Sequence, residues 1–185
     1  MWCNVGFAED ISKYQIEGIS LGDSLLDHLS KEEIIDEIEN NKPDYNYLSD
    51  DFGEVYLYGN FDIYERLSFF VKPKDKYYTI YAIYGSISYD DKLEQCFSKQ
   101  KDIEKEISSK YKNFKKKKYS RNFPWDPTGE STTHNITFYF NSGQTVDVSC
   151  TKYKKSLKIE NNWDDSFSFS ISKKVIDDWF SNRIN

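Results

Sequence analysis

Apolar residues recur at steps of three and four along one stretch in the middle of the chain, near residues 91–113. This spacing is typical of a helix with one buried face, and its other faces carry charged residues such as Lys101, Glu104 and Lys105. The pattern therefore predicts a long central helix. The residues on its predicted buried face are Leu93, Cys96, Phe97, Gln100, Ile103, Ile107, Tyr111 and Phe114.

Two shorter helices are predicted near the start of the chain. Ser20 and Asp23 have the spacing of a capping box, with Asp in the position usually held by Glu, and Ser30 and Glu33 form a second box. The second helix should end before Pro43. Together the two helices predict a helical corner. Its apolar positions are Leu21, Leu25, Leu26 and Leu29 in the first helix and Ile34, Ile35 and Ile38 in the second.

Alternation of apolar and polar residues predicts strands on both sides of the central helix. The segment 115–130 is predicted to be a loop, and Ser172 is predicted to cap a short C-terminal helix. Antiparallel strands separated by helices indicate an α+β fold. The predicted strands lie near 55–57, 62–72, 78–89, 136–140, 146–150 and 167–171.

Composition supports a folded domain. Hydrophobic residues make up 38% of the chain, but 15 Tyr and 13 Phe supply large apolar bodies for a core. No run of apolar residues is long enough to predict a membrane-spanning segment. The formal net charge of −6 excludes a uniformly basic nucleic-acid coat, so we expect no specific nucleic-acid partner.

The first residues have one feature of an export signal. Gly6, Phe7 and Ala8 have the small-x-small form of a signal-peptidase site, although the segment lacks a basic region and a full apolar region. We interpret residues 1–8 as the remnant of a signal peptide and 9–185 as a single α+β domain. The alternative is an ordinary N-terminus.

The cysteines point to the same compartment. Cys3 falls in the suspected signal remnant, which leaves Cys96 and Cys150 as an even pair. Cys96 lies on the apolar face of the predicted central helix, and Cys150 ends an inward-facing strand pattern. We predict a disulfide between them, as expected in an oxidising compartment. The alternative is two buried free thiols in a cytosolic protein.

Candidate chemistry is sparse. His28 and His134 are far apart in the sequence and have no nearby Cys or His, so no metal site is predicted. Acidic doublets such as Asp164 and Asp165 could pair carboxylates, and the loop 161–165 is rich in oxygen ligands. That loop lacks the Gly and the terminal Glu of an EF-hand, and such doublets are expected at loop ends.

Two segments are candidates for contact with a partner. The loop around Phe123 and Trp125 is aromatic and rigid, and Trp163 lies in a later loop. Trp and Tyr are concentrated in binding hot spots, but such a loop can also cover the edge of a core. The segment from Lys110 to Arg121 holds seven basic residues and no acidic one. Because Tyr111, Phe114 and Tyr119 lie among them, these basic residues could form a strip that tracks a nucleic-acid backbone and stacks on its bases. With no other nucleic-acid motif in the sequence, we favour a solvated loop or a contact with an anionic surface, centred on Lys115, Lys116, Lys117 and Lys118.

Three segments carry a resemblance: YQIEGISLGDSLLD at 14–27, GQTVDVSC at 143–150 and IDDW at 176–179. In them the chain resembles an uncharacterised family of small exported proteins of Pelagibacter-like marine bacteria, over most of 11–180. The resemblance implies export and supplies no catalytic residue. The helical opening followed by a meander is also similar in layout to small outer-membrane-assembly lipoproteins and β-lactamase inhibitors.

We therefore expect an exported, periplasmic or secreted, non-catalytic domain that binds a protein or a cell-envelope component, without a cofactor. The alternative is a small hydrolase or lectin-like domain that uses acidic loop residues. Oligomeric state does not follow from these patterns.

Overall fold

The computed structural model describes residues 11–41, 51–90, 92–124 and 126–182. The predicted signal remnant, 1–8, and Cys3 with it lie outside the described residues. Within that part of the chain there are four α-helices and a seven-stranded antiparallel sheet, which confirms the α+β class. The helices are α1 (Lys31–Asn41), α2 (Leu93–Lys110), α3 (Lys155–Asn161) and α4 (Lys174–Ser181). The strands are β1 (Gly53–Tyr58), β2 (Arg66–Val71), β3 (Ile80–Ser88), β4 (Phe114–Asn122), β5 (Thr132–Phe140), β6 (Gln144–Lys152) and β7 (Ser166–Lys173).

The strands follow the order β1-β2-β3-β7-β6-β5-β4, so β1 and β4 are its edges. The chain packs as two compact units. The first unit holds Ser12–Ile87 and the described residues from Phe169 onward. Among the described residues the second unit holds Ile11 and Ser88–Ser168. Each unit contains a helix followed by a three-stranded antiparallel meander, β1-β2-β3 or β4-β5-β6.

The first unit packs helices against its meander. Ile34 and Ile38 are the buried residues of α1, and Ile38 approaches Gly53 so closely that a Cβ there would lie 2.7 Å from its Cγ1. Helix α4 brings Ile176 and Trp179 into a second cluster. The cluster consists of Phe52, Phe70, Ala82, Ile176 and Trp179.

The second unit packs α2 against its meander through a disulfide. Cys96 and Cys150 lie at disulfide distance, with Cα atoms 5.9 Å apart, as the sequence predicted. One turn further along α2, the buried Gln100 amide donates hydrogen bonds to the carbonyl oxygens of His134 at 2.9 Å and Val148 at 2.8 Å. A buried amide needs hydrogen-bond partners, and Gln100 finds them on two strands. Gln100 therefore links α2 to β5 and β6.

Segment 115–130 was predicted to be a loop, and this is wrong for its first part. Residues Phe114–Asn122 form β4 and pair along their whole length with β5, from Phe114 opposite Phe140 to Asn122 opposite Thr132. Lysines have low strand propensity, but pairing with a neighbouring strand overrides that preference.

The predicted first helix is also wrong. Only a short 3₁₀ turn, Leu25–Asp27, forms there. Gly22 adopts a positive φ of +92°, and the N–H groups of Gly22 and Leu25 donate to the carbonyl oxygens of Ile80 and Tyr78 instead of within a helix. The second capping box is confirmed: the Ser30 N–H donates to Glu33 at 2.8 Å, and the Glu33 N–H donates to the Ser30 hydroxyl at 3.3 Å.

Two smaller predictions fail for local reasons. Ile63 was predicted to be part of a strand, but it is 53% exposed. Its N–H donates to the Glu17 carboxylate at 2.7 Å instead of to a strand, and β2 begins only at Arg66. Ser172 was predicted to cap α4, but Lys173 is the cap residue and the Ser172 hydroxyl donates to Asp177.

Candidate functional site

Three aromatic rings of the second unit pack together beside the end of its meander. The ring centroid of Tyr153 lies 5.0 Å from that of Phe123 and 5.2 Å from that of Trp163. The Phe123 and Trp163 rings are 6.1 Å apart, edge to face. These separations are those of favourable aromatic pairs. We call Phe123, Tyr153 and Trp163 the aromatic cluster.

Each ring is placed by a backbone hydrogen bond at the end of an element. Phe123 follows β4, and its N–H donates to the Ser131 carbonyl at 2.8 Å. Tyr153 follows β6, and its N–H donates to the Asp165 carboxylate at 2.9 Å. Trp163 follows α3, where Asn162 takes the left-handed conformation that ends many helices. The Trp163 N–H then donates back to the Lys158 carbonyl at 3.0 Å.

A buried carboxylate fixes the loop that follows Phe123. Asp126 accepts hydrogen bonds from the Thr128 hydroxyl at 2.6 Å, the Thr128 N–H at 2.9 Å and the Ser131 N–H at 2.7 Å. Hydrogen bonds from Thr128 and Ser131 hold the pKa of Asp126 far below its usual range, because they stabilise the ionised form. The loop is therefore held by an aspartate that stays charged.

Ion pairs hold the other side of the aromatic cluster. The Lys158 ammonium lies 3.2 Å from the Asp165 carboxylate, and the Asp165 side chain is only 4% exposed. The Lys154 ammonium lies 2.6 Å from Glu130, which raises the pKa of Lys154. The acidic doublet Asp164–Asp165 was a candidate for acid–base or calcium chemistry. One of its carboxylates is instead used to hold the Tyr153 backbone and Lys158.

The cluster presents apolar surface above this fixed base. Trp163 is 38% exposed, and Ile159 on the adjacent helix α3 is 73% exposed. A half-exposed Trp supported by a second and third ring is a typical anchor for a partner, since it offers contact area at little cost in conformational entropy. The arrangement suits binding through apolar and aromatic contact.

The predicted contact residues are only partly brought together. Phe123 and Trp163, predicted as partner contacts, lie in one cluster, whereas Trp125 lies outside the described residues. Tyr153 was missed. It follows the alternating pattern of β6 directly, so an aromatic residue at the end of a predicted hairpin was the available signal.

The predicted basic strip is part of a strand. The ammonium groups of Lys116 and Lys118 each lie 2.5 Å from an oxygen of Glu104 on α2. Desolvation raises the pKa of Glu104, but the two lysines outweigh it and lower that pKa overall. Lys115 and Lys117 belong to the opposite face of β4 and are exposed. The strip is therefore not a solvated loop.

Strands β4 and β5 also place a serine beside a histidine. The Ser120 hydroxyl lies 2.7 Å from His134 Nδ1, and the Phe97 ring packs edge-on to the imidazole at 5.2 Å. A nucleophile and base can be arranged in this way, but catalysis also needs a group that orients the base and donors for an oxyanion. No carboxylate in the described chain hydrogen-bonds to this imidazole, so we interpret the contact as a cross-strand hydrogen bond.

Comparisons with known proteins supply no further constraint. No family model matches the sequence, and no curated protein and no solved structure shows significant similarity to it. In the described ranges, no group of three or more His, Cys, Asp or Glu side chains could hold a metal ion. None of the described helices is long and apolar enough to cross a membrane.

Proposed function

We propose that the protein is an exported domain that binds a protein or cell-envelope component through the aromatic cluster. The observation that carries the proposal is the half-exposed Trp163, packed against Tyr153 and Phe123 at the end of the second meander. Aromatic anchors of this kind dominate the energy of many interfaces.

Two further observations support it. The base of the cluster is fixed by the Asp126 and Asp165 carboxylates, so little ordering is needed on binding. The Cys96–Cys150 pair suits a protein that works in an oxidising compartment, where disulfides persist.

The test measures the binding of two variants, each with one exposed aromatic residue replaced by Ser, to isolated envelope fractions. The fractions are peptidoglycan, membrane vesicles and solubilised envelope protein. Trp163→Ser removes the exposed anchor, and Tyr77→Ser is the matched control because Tyr77 is 58% exposed and lies in the first unit. We expect Trp163→Ser to weaken binding by about thirtyfold, as for a hot-spot residue, and Tyr77→Ser to leave it unchanged.

Both variants should keep the wild-type circular dichroism spectrum, which shows that the fold is intact. Equal binding by wild type and Trp163→Ser would contradict a role for the cluster. A calcium-dependent rise in melting temperature, or a rise with a particular sugar, would instead support the lectin-like alternative.

A further inference from the structure

Strand β4 has one side that no described strand covers. It is the last strand in the sheet order, and its register with β5 fixes which backbone groups point away from the sheet. The Asn141 N–H donates to the Asn113 carbonyl, and the Phe123 N–H donates to the Ser131 carbonyl. In an antiparallel pair these bonds recur at every second residue, so the odd-numbered residues of β4 bond to β5. The residues whose N–H and C=O groups point outward are Phe114, Lys116, Lys118, Ser120 and Asn122.

The strand at the opposite edge, β1, has hydrogen-bond partners for outward backbone groups. On β1, the Tyr56 N–H donates to the Glu37 carboxylate of α1 at 3.2 Å. The Asn41 amide of the same helix donates to the Glu54 carbonyl at 3.0 Å. Helix α1 therefore supplies partners for outward backbone groups of β1, which is one way in which proteins protect an edge strand.

Helix α2 does not do the same for β4. Its carboxylate Glu104 binds the side chains of Lys116 and Lys118, so it contacts ammonium groups and leaves the outward backbone groups of β4 to other partners. Nine residues of strand, Phe114–Asn122, are thus available for pairing in the described part of the chain.

Charge decides which kind of strand could pair there. Lys115, Lys117 and Arg121 are exposed on one face of β4. Side chains directly opposite each other on neighbouring strands stabilise the pair when their charges are opposite and destabilise it when they are alike. A second copy of β4 would place lysines against lysines. An extended segment with Asp or Glu at alternate positions would place carboxylates against them.

We propose that β4 binds an extended acidic peptide segment as an added antiparallel or parallel strand. Backbone hydrogen bonds would supply affinity, and alternate acidic side chains would supply specificity, as in other cases of strand addition. The inference names the partner of the proposed binding domain and so rests on that function. Strand β4 leads directly into Phe123 of the aromatic cluster, which makes the two surfaces continuous.

The test uses the full chain and a synthetic nine-residue peptide of alternating Glu and Val, with a Lys and Val peptide as its charge control. Lys118→Pro removes an outward N–H but none of the bonds to β5, whereas Lys118→Ser keeps that N–H. We expect Lys118→Pro to weaken binding of the acidic peptide about tenfold relative to Lys118→Ser, the effect of one lost hydrogen bond. The Lys and Val peptide should not bind.

Charge is tested separately. The double variant Lys115→Glu, Lys117→Glu should abolish binding of the acidic peptide. The control, Lys101→Glu with Lys105→Glu, makes the same change of net charge at exposed lysines of α2. It should leave binding unchanged apart from a small long-range electrostatic effect. Binding by the wild type should weaken as salt is added.

Hydrogen exchange gives an independent measurement. In the free protein the amides of Lys116, Lys118 and Ser120 should exchange fast and those of Lys115, Lys117 and Tyr119 slowly, and the peptide should protect the first set. Protection of the first set in the free protein, equal affinity of Lys118→Pro and Lys118→Ser, or no binding of the acidic peptide at low salt would each overturn the proposal. Trp163→Ser separates the two functions: binding of this peptide that survives Trp163→Ser but not Lys118→Pro supports the strand site even if the aromatic cluster binds nothing.

Discussion

The two units use the same order of elements, a helix followed by a meander that begins at an edge of the sheet, but they stabilise it differently. In the first unit, α1 packs through Ile34 and Ile38 and gives hydrogen bonds to the backbone of its edge strand. In the second unit, α2 is tied to its meander by a disulfide and by the Gln100 amide.

The carboxylates at corresponding places show the difference most directly. Glu37 on α1 accepts a backbone N–H of β1, whereas Glu104 on α2 accepts lysine side chains of β4. The first arrangement gives a partner to the backbone of an edge strand, and the second binds side chains of the other edge strand. The second unit has instead a covalent tie between α2 and β6, the Cys96–Cys150 disulfide.

The largest expected effect comes from removing that covalent tie. Replacing Cys96 and Cys150 together by Ala should lower the free energy of unfolding by about 4 kcal/mol, the chain-entropy value for a loop of this length. Urea denaturation measures the change, and hydrogen exchange should show it mainly in β4, β5 and β6. The same variant should leave exchange in β1 and β2 close to that of the wild type. A loss below about 1 kcal/mol would show that packing, and not the disulfide, holds α2.

A smaller effect is expected from the closed edge. Glu37→Ala with Asn41→Ala removes the partners that α1 supplies to β1, and we expect it to lower the free energy of unfolding by about 2 kcal/mol. Glu104→Ala is the matched change in the second unit and should cost less than about 1 kcal/mol, because it removes ion pairs to partly exposed lysines. Thermal or urea unfolding of both variants decides the order. Equal losses of unfolding free energy would mean that the contacts of Glu37 and Asn41 stabilise the fold no more than those of Glu104.

The smallest expected effect is a loss of stability at acidic pH. It concerns the aspartates that hold one turn in each of the two meanders. Asp75 holds the turn between β2 and β3, and hydrogen bonds from Thr79 and Tyr77 lower its pKa. Asp126 holds the turn between β4 and β5, and its pKa is lowered further. Each carboxylate stabilises the fold fully above the ordinary aspartate pKa of about 3.9, and that contribution is lost as pH falls toward the lower folded value.

The urea concentration at the midpoint of wild-type unfolding should therefore decrease as the pH is lowered below about 4. Asp126→Asn should reduce that fall more than Asp75→Asn does, because the Asp126 pKa is shifted further. Both variants should have the same pH dependence as the wild type between about pH 5 and about pH 8, where these carboxylates are ionised in both states. A wild-type midpoint that does not change with acid would contradict the hydrogen-bonding roles of both residues.

The sequence predicted those helices and strands whose own residues carry a helical or alternating apolar pattern. The spacing of α2 and the alternation of β5 and β6 placed Cys96 and Cys150 on facing surfaces, and the disulfide followed. Strand β4 was missed because a run of lysines has no alternation of apolar and polar residues. Its strand state comes from pairing with β5, which the lysine run itself does not encode.

The candidate site was predicted in part for the same reason. Phe123 and Trp163 are conspicuous aromatic residues in loops, but their meeting depends on Tyr153 at the end of β6 and on helix α3 between them. Helix α3 is short and none of its residues is buried, so no apolar stripe marked it in the sequence.

The division of the chain has a consequence for its synthesis. Among the described residues the second unit consists of Ile11 and Ser88–Ser168, whereas the first unit is completed only by residues from Phe169 onward. On the ribosome, Phe52 and Phe70 emerge well before Ile176 and Trp179, which pack against them. Domains fold as units while the chain grows, so the second unit, which is complete at Ser168, can fold before the first unit has all of its residues. During that interval Phe52 and Phe70 lack their partners Ile176 and Trp179, and apolar surface that is exposed in this way promotes aggregation.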